Sequence, residues 1–144
     1  MIKIYELKKI SDKISEFLFE LRNRIYVREN SLNTSIITIE SHKLWIKKFF
    51  KKKNKLFIIS SSNKPIGYVR LELINNIYKT SWALYKKYHK RGYAKKSLIY
   101  ATKNKKYKYK ALIKKKNLVS LNLAKIVGFK LKKILNNVFY LYKN

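Results

Sequence analysis

A chain of 144 residues with 36 Lys and Arg against 7 Asp and Glu, a formal charge of +29, favours anionic partners. Its 47% hydrophobic and 15% aromatic content excludes a disordered polycation, and the lack of cysteine excludes disulfides and thiolate metal sites. Two histidines and seven carboxylates make a metal cage unexpected, and no apolar run is long enough to span a membrane, so the expectation is one metal-free domain over residues 1–144, placed in the cytoplasm.

The elements follow in order. Ile2 and Ile4 alternate in a first strand, and Ser11 and Asp12 can cap a helix with Ile14, Phe17, Leu18 and Leu21 on one stripe. Polar groups then gather from Leu21 to Ser31 with no core role, which reads as a frayed, solvated helix end. Thr38 caps a second helix whose His42, Trp45, Ile46, Phe49 and Phe50 share a face, the lysines covering the rest. Leu56–Ser60 is a short apolar strand. A turn through Ser62 and Asn63 leads past the only proline, Pro65, into a strand over 66–72 with Gly67 as a bulge.

Asn75-Asn76 turns into a strand that reads best over Thr80–Tyr85. Next come His89-Lys90-Arg91-Gly92-Tyr93-Ala94 and a third helix with Ala94, Ser97, Leu98 and Ala101 at helical spacing. A helix that starts just after a strand aims unpaired N–H groups and a partial positive charge at one spot, which suits a phosphate, and Lys90, Arg91, Lys95 and Lys96 crowd that spot. Tyr109–Ile113 is a strand, Asn117 can cap a fourth helix ended by Gly128, and two strands over 129–134 and 138–142 close the chain. The result is one mixed α/β domain with a mostly antiparallel sheet of about seven strands and about four helices, in the order β-α-α-β-β-β-α-β-α-β-β.

The lysine excess has two readings. Lys, Asn, Ile and Tyr share AT-rich codons, and arginine, the better bidentate phosphate ligand, stands only at positions 22, 24, 28, 70 and 91. Codon bias therefore comes first and a nucleic-acid surface second.

In element order and motifs the chain resembles the GNAT superfamily of acyl-CoA N-acyltransferases, from about Ile2 to Tyr142. The three glycines carry the resemblance: Gly67 in an "IGY" strand start, Gly92 in a loop similar to R/Q-x-x-G-x-G/A, and Gly128 in a Gly-Phe after Asn117-x-x-Ser120. Two positions depart from the pattern: His89 replaces Arg or Gln, and Ala124 replaces a tyrosine that in many members protonates the departing thiolate.

The resemblance implies acetyl-CoA as acetyl donor, lying where the strands of Leu84-Tyr85 and Ala111–Ile113 splay apart. Backbone groups of Leu84 and Tyr85 would hold the pantetheine arm and stabilise the oxyanion. His89, Lys90, Arg91, Gly92, Tyr93, Ala94 and Lys95 would hold the pyrophosphate, with Asn117 and Ser120 across the arm. The N-terminal half looks like the subgroup that acetylates nucleotide-linked (UDP) amino sugars in pseudaminic-acid-type pathways. It offers Arg22, Arg28 and His42 to a diphosphate, Asn23, Ser31 and Asn33 to sugar or base, and Trp45 for stacking. Direct attack of a neutral amine then needs a base, Glu72 first and His42 second, and an acid, for which Ser120, Tyr85 or solvent stands in place of the missing tyrosine. A ribosomal or protein N-terminus, or another small amine, is the alternative acceptor, and a non-enzymatic basic nucleic-acid-binding domain is the rival class.

Overall fold

The computed structural model describes residues 1–144. Seven strands and five helices run in the order β1 (Ile2–Leu7), α1 (Asp12–Arg22), α2 (Ile25–Asn30), α3 (Ile39–Phe49), β2 (Lys55–Ser61), β3 (Lys64–Ile74), β4 (Ile77–Leu84), α4 (Tyr93–Ala101), β5 (Lys108–Lys114), α5 (Leu118–Val127), β6 (Lys130–Leu135) and β7 (Val138–Lys143). One turn of 3-10 helix, Lys86–Tyr88, joins β4 to the loop before α4. The sheet order is β1-β2-β3-β4-β5-β7-β6, and every pairing is antiparallel except β4 with β5.

Strand alternation sorts the core into two layers. On one face Phe57, Val69, Leu71, Tyr78, Ala111 and Leu141 pack against Leu98 and Ala101 of α4 and Leu121, Ala124 and Val127 of α5. On the other, Leu56, Ile58, Tyr68 and Ala83 pack against Phe17, Leu18 and Leu21 of α1 and Phe49 of α3. Ser11 and Thr38 cap α1 and α3 by accepting from the N–H groups of Ile14 and Ser41. Three hairpins turn on pairs of residues with positive φ, Ser62-Asn63, Asn75-Asn76 and Asn136-Asn137, which asparagine tolerates better than most residues. No helix is long and apolar enough to cross a membrane.

Two expectations change. The polar stretch after Leu21 is not a frayed end: Ile25–Asn30 is a fifth helix, α2. It has no buried residue, so apolar periodicity gave no sign of it. The bulge falls beside Gly67 rather than on it. Ile59 faces Gly67 and Ser60 faces Pro65, which leaves Ile66 as the extra residue on β3. Gly67 has a different reason to be glycine. A Cβ there would lie 2.7 Å from the carbonyl oxygen of Ala83 and 2.6 Å from Leu84 Cδ1.

Candidate active site

The parallel strands β4 and β5 pair only over Ile77↔Lys108, Tyr78↔Tyr109 and Lys79↔Lys110. Beyond Lys79 and Lys110 they part, while β4 stays paired to β3 as far as Leu84 and β5 stays paired to β7 as far as Lys114. The sheet thus has a V-shaped gap in its middle. Tyr85 N–H donates to Ile66 O, on the β3 side. Alternation along β4 therefore turns the backbone groups of Thr80, Trp82 and Leu84 toward the gap. Of these, Leu84 O accepts from His89 Nε2 at 2.8 Å.

This geometry corrects one expectation. The Tyr85 N–H is taken by Ile66 O and so is not free to bind an arm lying in the gap, and its carbonyl already accepts from Tyr88 N. His89 works through its ring, which ties the loop to the end of β4 and meets the Tyr26 ring edge-on at 5.8 Å.

At the open end of the gap α4 begins. Gly92 is its N-cap at φ +77°, and the first intrahelical bond reaches only Lys96 N, which leaves the N–H groups of Tyr93, Ala94 and Lys95 without helical partners. Lys90 also stands at positive φ, and Lys90, Arg91 and Lys95 are exposed around the same turn. A Cβ on Gly92 would meet nothing within 4 Å, so the backbone conformation alone demands glycine. Gly92→Val should strain the left-handed cap by about 1–2 kcal/mol and turn the amides away, weakening acetyl-CoA binding roughly tenfold by calorimetry while the melting temperature moves only a few degrees. Unchanged affinity would remove this turn from the binding site.

Across the gap, Asn117 caps α5 by accepting from Ser120 N at 3.2 Å, and the Ser120 hydroxyl has no protein partner. Ala124 lies one turn further along the same helix, fully buried in the core, so nothing at that position offers a proton.

On the α1/α3 face, α2 spans the mouth of the gap. Tyr26 Oη accepts from Lys86 N (3.0 Å) just past the end of β4, and Lys114 Nζ at the end of β5 donates to Glu29 O (2.9 Å). Beside it is a cavity of about 570 Å³ lined by Leu32, Lys114, Lys115, Lys116, Asn136, Asn137 and Val138.

The residues expected to hold an acceptor divide sharply. Asn23 clasps the backbone of Ile37 at both ends, Nδ2 to the carbonyl (2.9 Å) and Oδ1 from the N–H (2.7 Å). Arg28 donates to Asn23 O and Thr34 O, Ser31 Oγ donates to Val27 O, and Asn33 Oδ1 accepts from Ser35 N. These four shape the 31–38 loop and present little free polarity.

His42 is also corrected: it is 1% exposed and braces α1 against α3. Nε2 donates to Ser15 O at 3.0 Å, and Nδ1 lies 3.5 Å from Arg22 Nη1. A ring so enclosed is not placed to accept a proton from an incoming amine. Burial first, and Arg22 after it, hold its pKa below the ordinary 6.5 although the Ser15 carbonyl acts the other way. With the folded value depressed, its stabilising contribution is complete above pH 6.5 and declines as pH falls toward the folded pKa. Denaturant unfolding at about pH 7.5 and about pH 5.0 should show the native protein losing more stability on acidification than His42→Gln; equal losses would refute the assignment.

Arg22 and Trp45 remain, and Arg70 joins them. The Arg22 guanidinium carbon lies 4.5 Å from the centre of the Trp45 ring, and that of Arg70 lies 5.6 Å from it. Arg70 Nε is 3.0 Å from Glu72 Oε1, the two side chains only 16% and 27% exposed, but the N–H is not aimed well enough for a hydrogen bond. Burial first, and Arg70 second, lower the Arg22 pKa to about 10, which still leaves it charged at neutral pH. Ser81, opposite Arg70, precedes Trp82 at the gap, and Lys79, opposite Glu72, is the last paired residue at its apex. Arg70 and Glu72 are two apart on β3 and so share a face, a signal that alternation in the sequence already carried. No group of three or more His, Cys, Asp or Glu side chains is close enough to hold a metal ion.

A family model described as "Acetyltransferase (GNAT) family" matches residues 16–129. No curated protein matches the chain by sequence. Among solved structures, the spermidine N-acetyltransferase of Vibrio cholerae in complex with CoA and spermine superposes with a TM-score of 0.80 at 16% identity, covering 98% of this chain and 94% of that one. The PaiA N-acetyltransferase of Thermoplasma acidophilum, in complex with coenzyme A, has a TM-score of 0.72 at 19% identity, over 100% and 99% of the two chains. RimL, a ribosomal alpha-N-protein acetyltransferase in complex with coenzyme A, has a TM-score of 0.74 at 15% identity, over 99% and 93%.

Proposed function

The chain belongs to the acetyltransferase (GNAT) family and is an acetyl-CoA-dependent N-acetyltransferase; from that premise we propose that its acceptor is the primary amine of a nucleotide-linked amino sugar. The observation that carries the acceptor assignment is the basic cavity at the mouth of the gap. Its volume of about 570 Å³ lies within the range of small-molecule sites, and Lys114, Lys115 and Lys116 offer ammonium groups to phosphates. The spermine bound in the Vibrio structure carries the opposite charge, and a chain of formal charge +29 repels a polycation.

In this reading the donor's arm lies in the gap against Trp82 and Leu84, and its phosphates meet the amides of Tyr93, Ala94 and Lys95 with Lys90, Arg91 and Lys95 around them. Asn117 and Ser120 line the opposite side. The neutral amine attacks the thioester carbonyl, forming the C–N bond as the C–S bond breaks. Holding the two reactants together supplies much of the acceleration, and a Trp82 or Leu84 N–H steadies the negative charge on the carbonyl oxygen. The amine's proton passes to Glu72 through water, and the thiolate takes one from Ser120 or solvent.

The test is thiol release from acetyl-CoA with three acceptors: a UDP-amino sugar, spermidine and a peptide with a free N-terminus. Turnover confined to the sugar nucleotide supports the proposal. Faster turnover with the peptide favours a ribosomal or protein N-terminus, and faster turnover with spermidine overturns the charge argument.

A further inference from the structure

Arg70 takes no part in the loop over the donor phosphates or in the 31–38 loop. It projects from the middle of β3 onto the α1/α3 face, two residues from Tyr68, whose ring is in that face's core. Arg22 reaches the same spot from the C-terminal turn of α1. Both guanidinium groups lie over the Trp45 ring, at 4.5 and 5.6 Å, and His42 stacks on the same ring at 5.9 Å.

The local charge does not close. Two guanidinium groups share one carboxylate, Glu72, which pairs with Arg70 at 3.0 Å. Arg22 has no carboxylate within salt-bridge distance, and its one side-chain polar contact is a long 3.5 Å approach to a His42 ring that burial keeps neutral. Lys79, opposite Glu72, and Lys110, its parallel neighbour on β5, add charge of the same sign at the gap's apex. Two like charges drawn partly out of water and set against each other destabilise the fold unless a third charge joins them. The depressed Arg22 pKa, to about 10, reports the same strain.

We propose that Arg22 and Arg70, gathered over Trp45, form a binding site for an anionic group of the acceptor, a phosphate or a carboxylate, held within one strand's width of the reacting amine. The inference rests on the acetyltransferase reading and deepens it. The guanidinium fork suits either oxyanion, in two-point contact with one arginine or bridging both. A polyamine would bring a third positive charge to the same place. The lysine cavity beyond α2 is separate and would take a more distant part of the acceptor. Since Arg70 stands opposite Ser81, next to Trp82, the anion and the amine belong to one compact unit such as a sugar 1-phosphate or an amino acid.

Trp45 reports occupancy directly. The chain has two tryptophans, so Trp82→Phe leaves Trp45 as the sole indole. That protein is titrated with pyrophosphate, UDP and succinate in about 0.15 M salt, where diffuse attraction to surface lysines is screened. A saturable change in Trp45 emission, weakened at least about tenfold by Arg22→Gln and by Arg70→Gln, is the expected result. Preference for pyrophosphate and UDP assigns a phosphate, and preference for succinate assigns a carboxylate. No saturable change in the parent protein, or a change indifferent to both substitutions, overturns the site. Arg22→Lys and Arg70→Lys guard against loss of fold. They keep the charge and lose the fork, so they should bind the anion with intermediate affinity. Acetyl-CoA affinity, read by calorimetry on each variant, reports the donor side separately. A Trp45 response with no acetylation of any UDP-amino sugar by the chain that keeps Trp82 would sink the sugar-nucleotide acceptor and leave the anion site standing. Acetylation with a silent Trp45 would do the reverse.

Discussion

Gly67→Val should cost the fold about 3 kcal/mol or more and lower the melting temperature by roughly 10 °C. The first added carbon would stand 2.7 Å from the Ala83 carbonyl oxygen and 3.1 Å from Ile59 Cδ1, with Leu84 Cδ1 nearer still. A flexible methyl can move aside. The carbonyl belongs to a backbone locked between β3 and β4 and can move only by separating strands at Gly67↔Leu84. Two further methyl groups enlarge the clash. Because Leu84 borders the gap, whatever folded protein remains should also bind acetyl-CoA poorly. Thermal unfolding followed by far-ultraviolet circular dichroism gives the answer, and a shift under about 3 °C would show that the strands separate more easily than their pairing implies. Gly92→Val makes the contrast, since its penalty is torsional and its neighbourhood is empty.

Glu72→Gln should lower kcat about 100-fold with little change in acetyl-CoA affinity. Glu72 lies on the α1/α3 face at the apex of the gap, level with Lys79 and paired with Arg70. Glutamine keeps the size and one acceptor oxygen but takes no proton. The variant should then depend on amine that is already neutral, so its rate should climb with pH beyond the point where the parent levels off. A kcat within about threefold of the parent and an unaltered pH profile would reduce Glu72 to a partner for Arg70. Rescue of kcat at high pH separates proton transfer from a merely structural loss.

Much of this fold was legible because its determinants are local. Each glycine sits where the chain has to do something particular, and alternation in β3 and the stripes on α1 and α3 follow from spacing alone. The turn proposed for the donor's phosphates was legible as local structure for the same reason: a strand, a turn and a helix start are contiguous from Thr80 to Lys96. The acceptor side was harder. Asn23, Arg28, Ser31 and Asn33 are the polar residues a sequence offers to a ligand, yet they are spent on nearby backbone between Asn23 and Ile37. Asx turns and side-chain clasps use the same residue types as ligand contacts. Arg22, Trp45 and Arg70 meet from three separate elements, and no spacing rule joins positions 22, 45 and 70. His42 shows the limit from the other direction, since only the structure reveals that its ring is closed in by Ser15 and Arg22.

The gap in the sheet separates two sets of residues that sequence order also separates. In the proposed reading the donor meets residues between Thr80 and Ser120, while the acceptor meets Arg22 and Trp45 from the chain before Phe50 and Arg70 and Glu72 from β3, with the Lys114–Lys116 cavity the one exception to that order. On that reading the two surfaces would meet the reacting atoms from opposite sides and share almost no side chains. Selection can therefore rewrite the first third of the chain, and with it the choice of amine, while the thioester-handling half stays as it is. One scaffold, shared with this chain at 16% and 15% identity, can in this way serve a polyamine in one protein and a ribosomal substrate in another. Transplanting residues 11–50 between such proteins should carry acceptor preference along as a single heritable cassette.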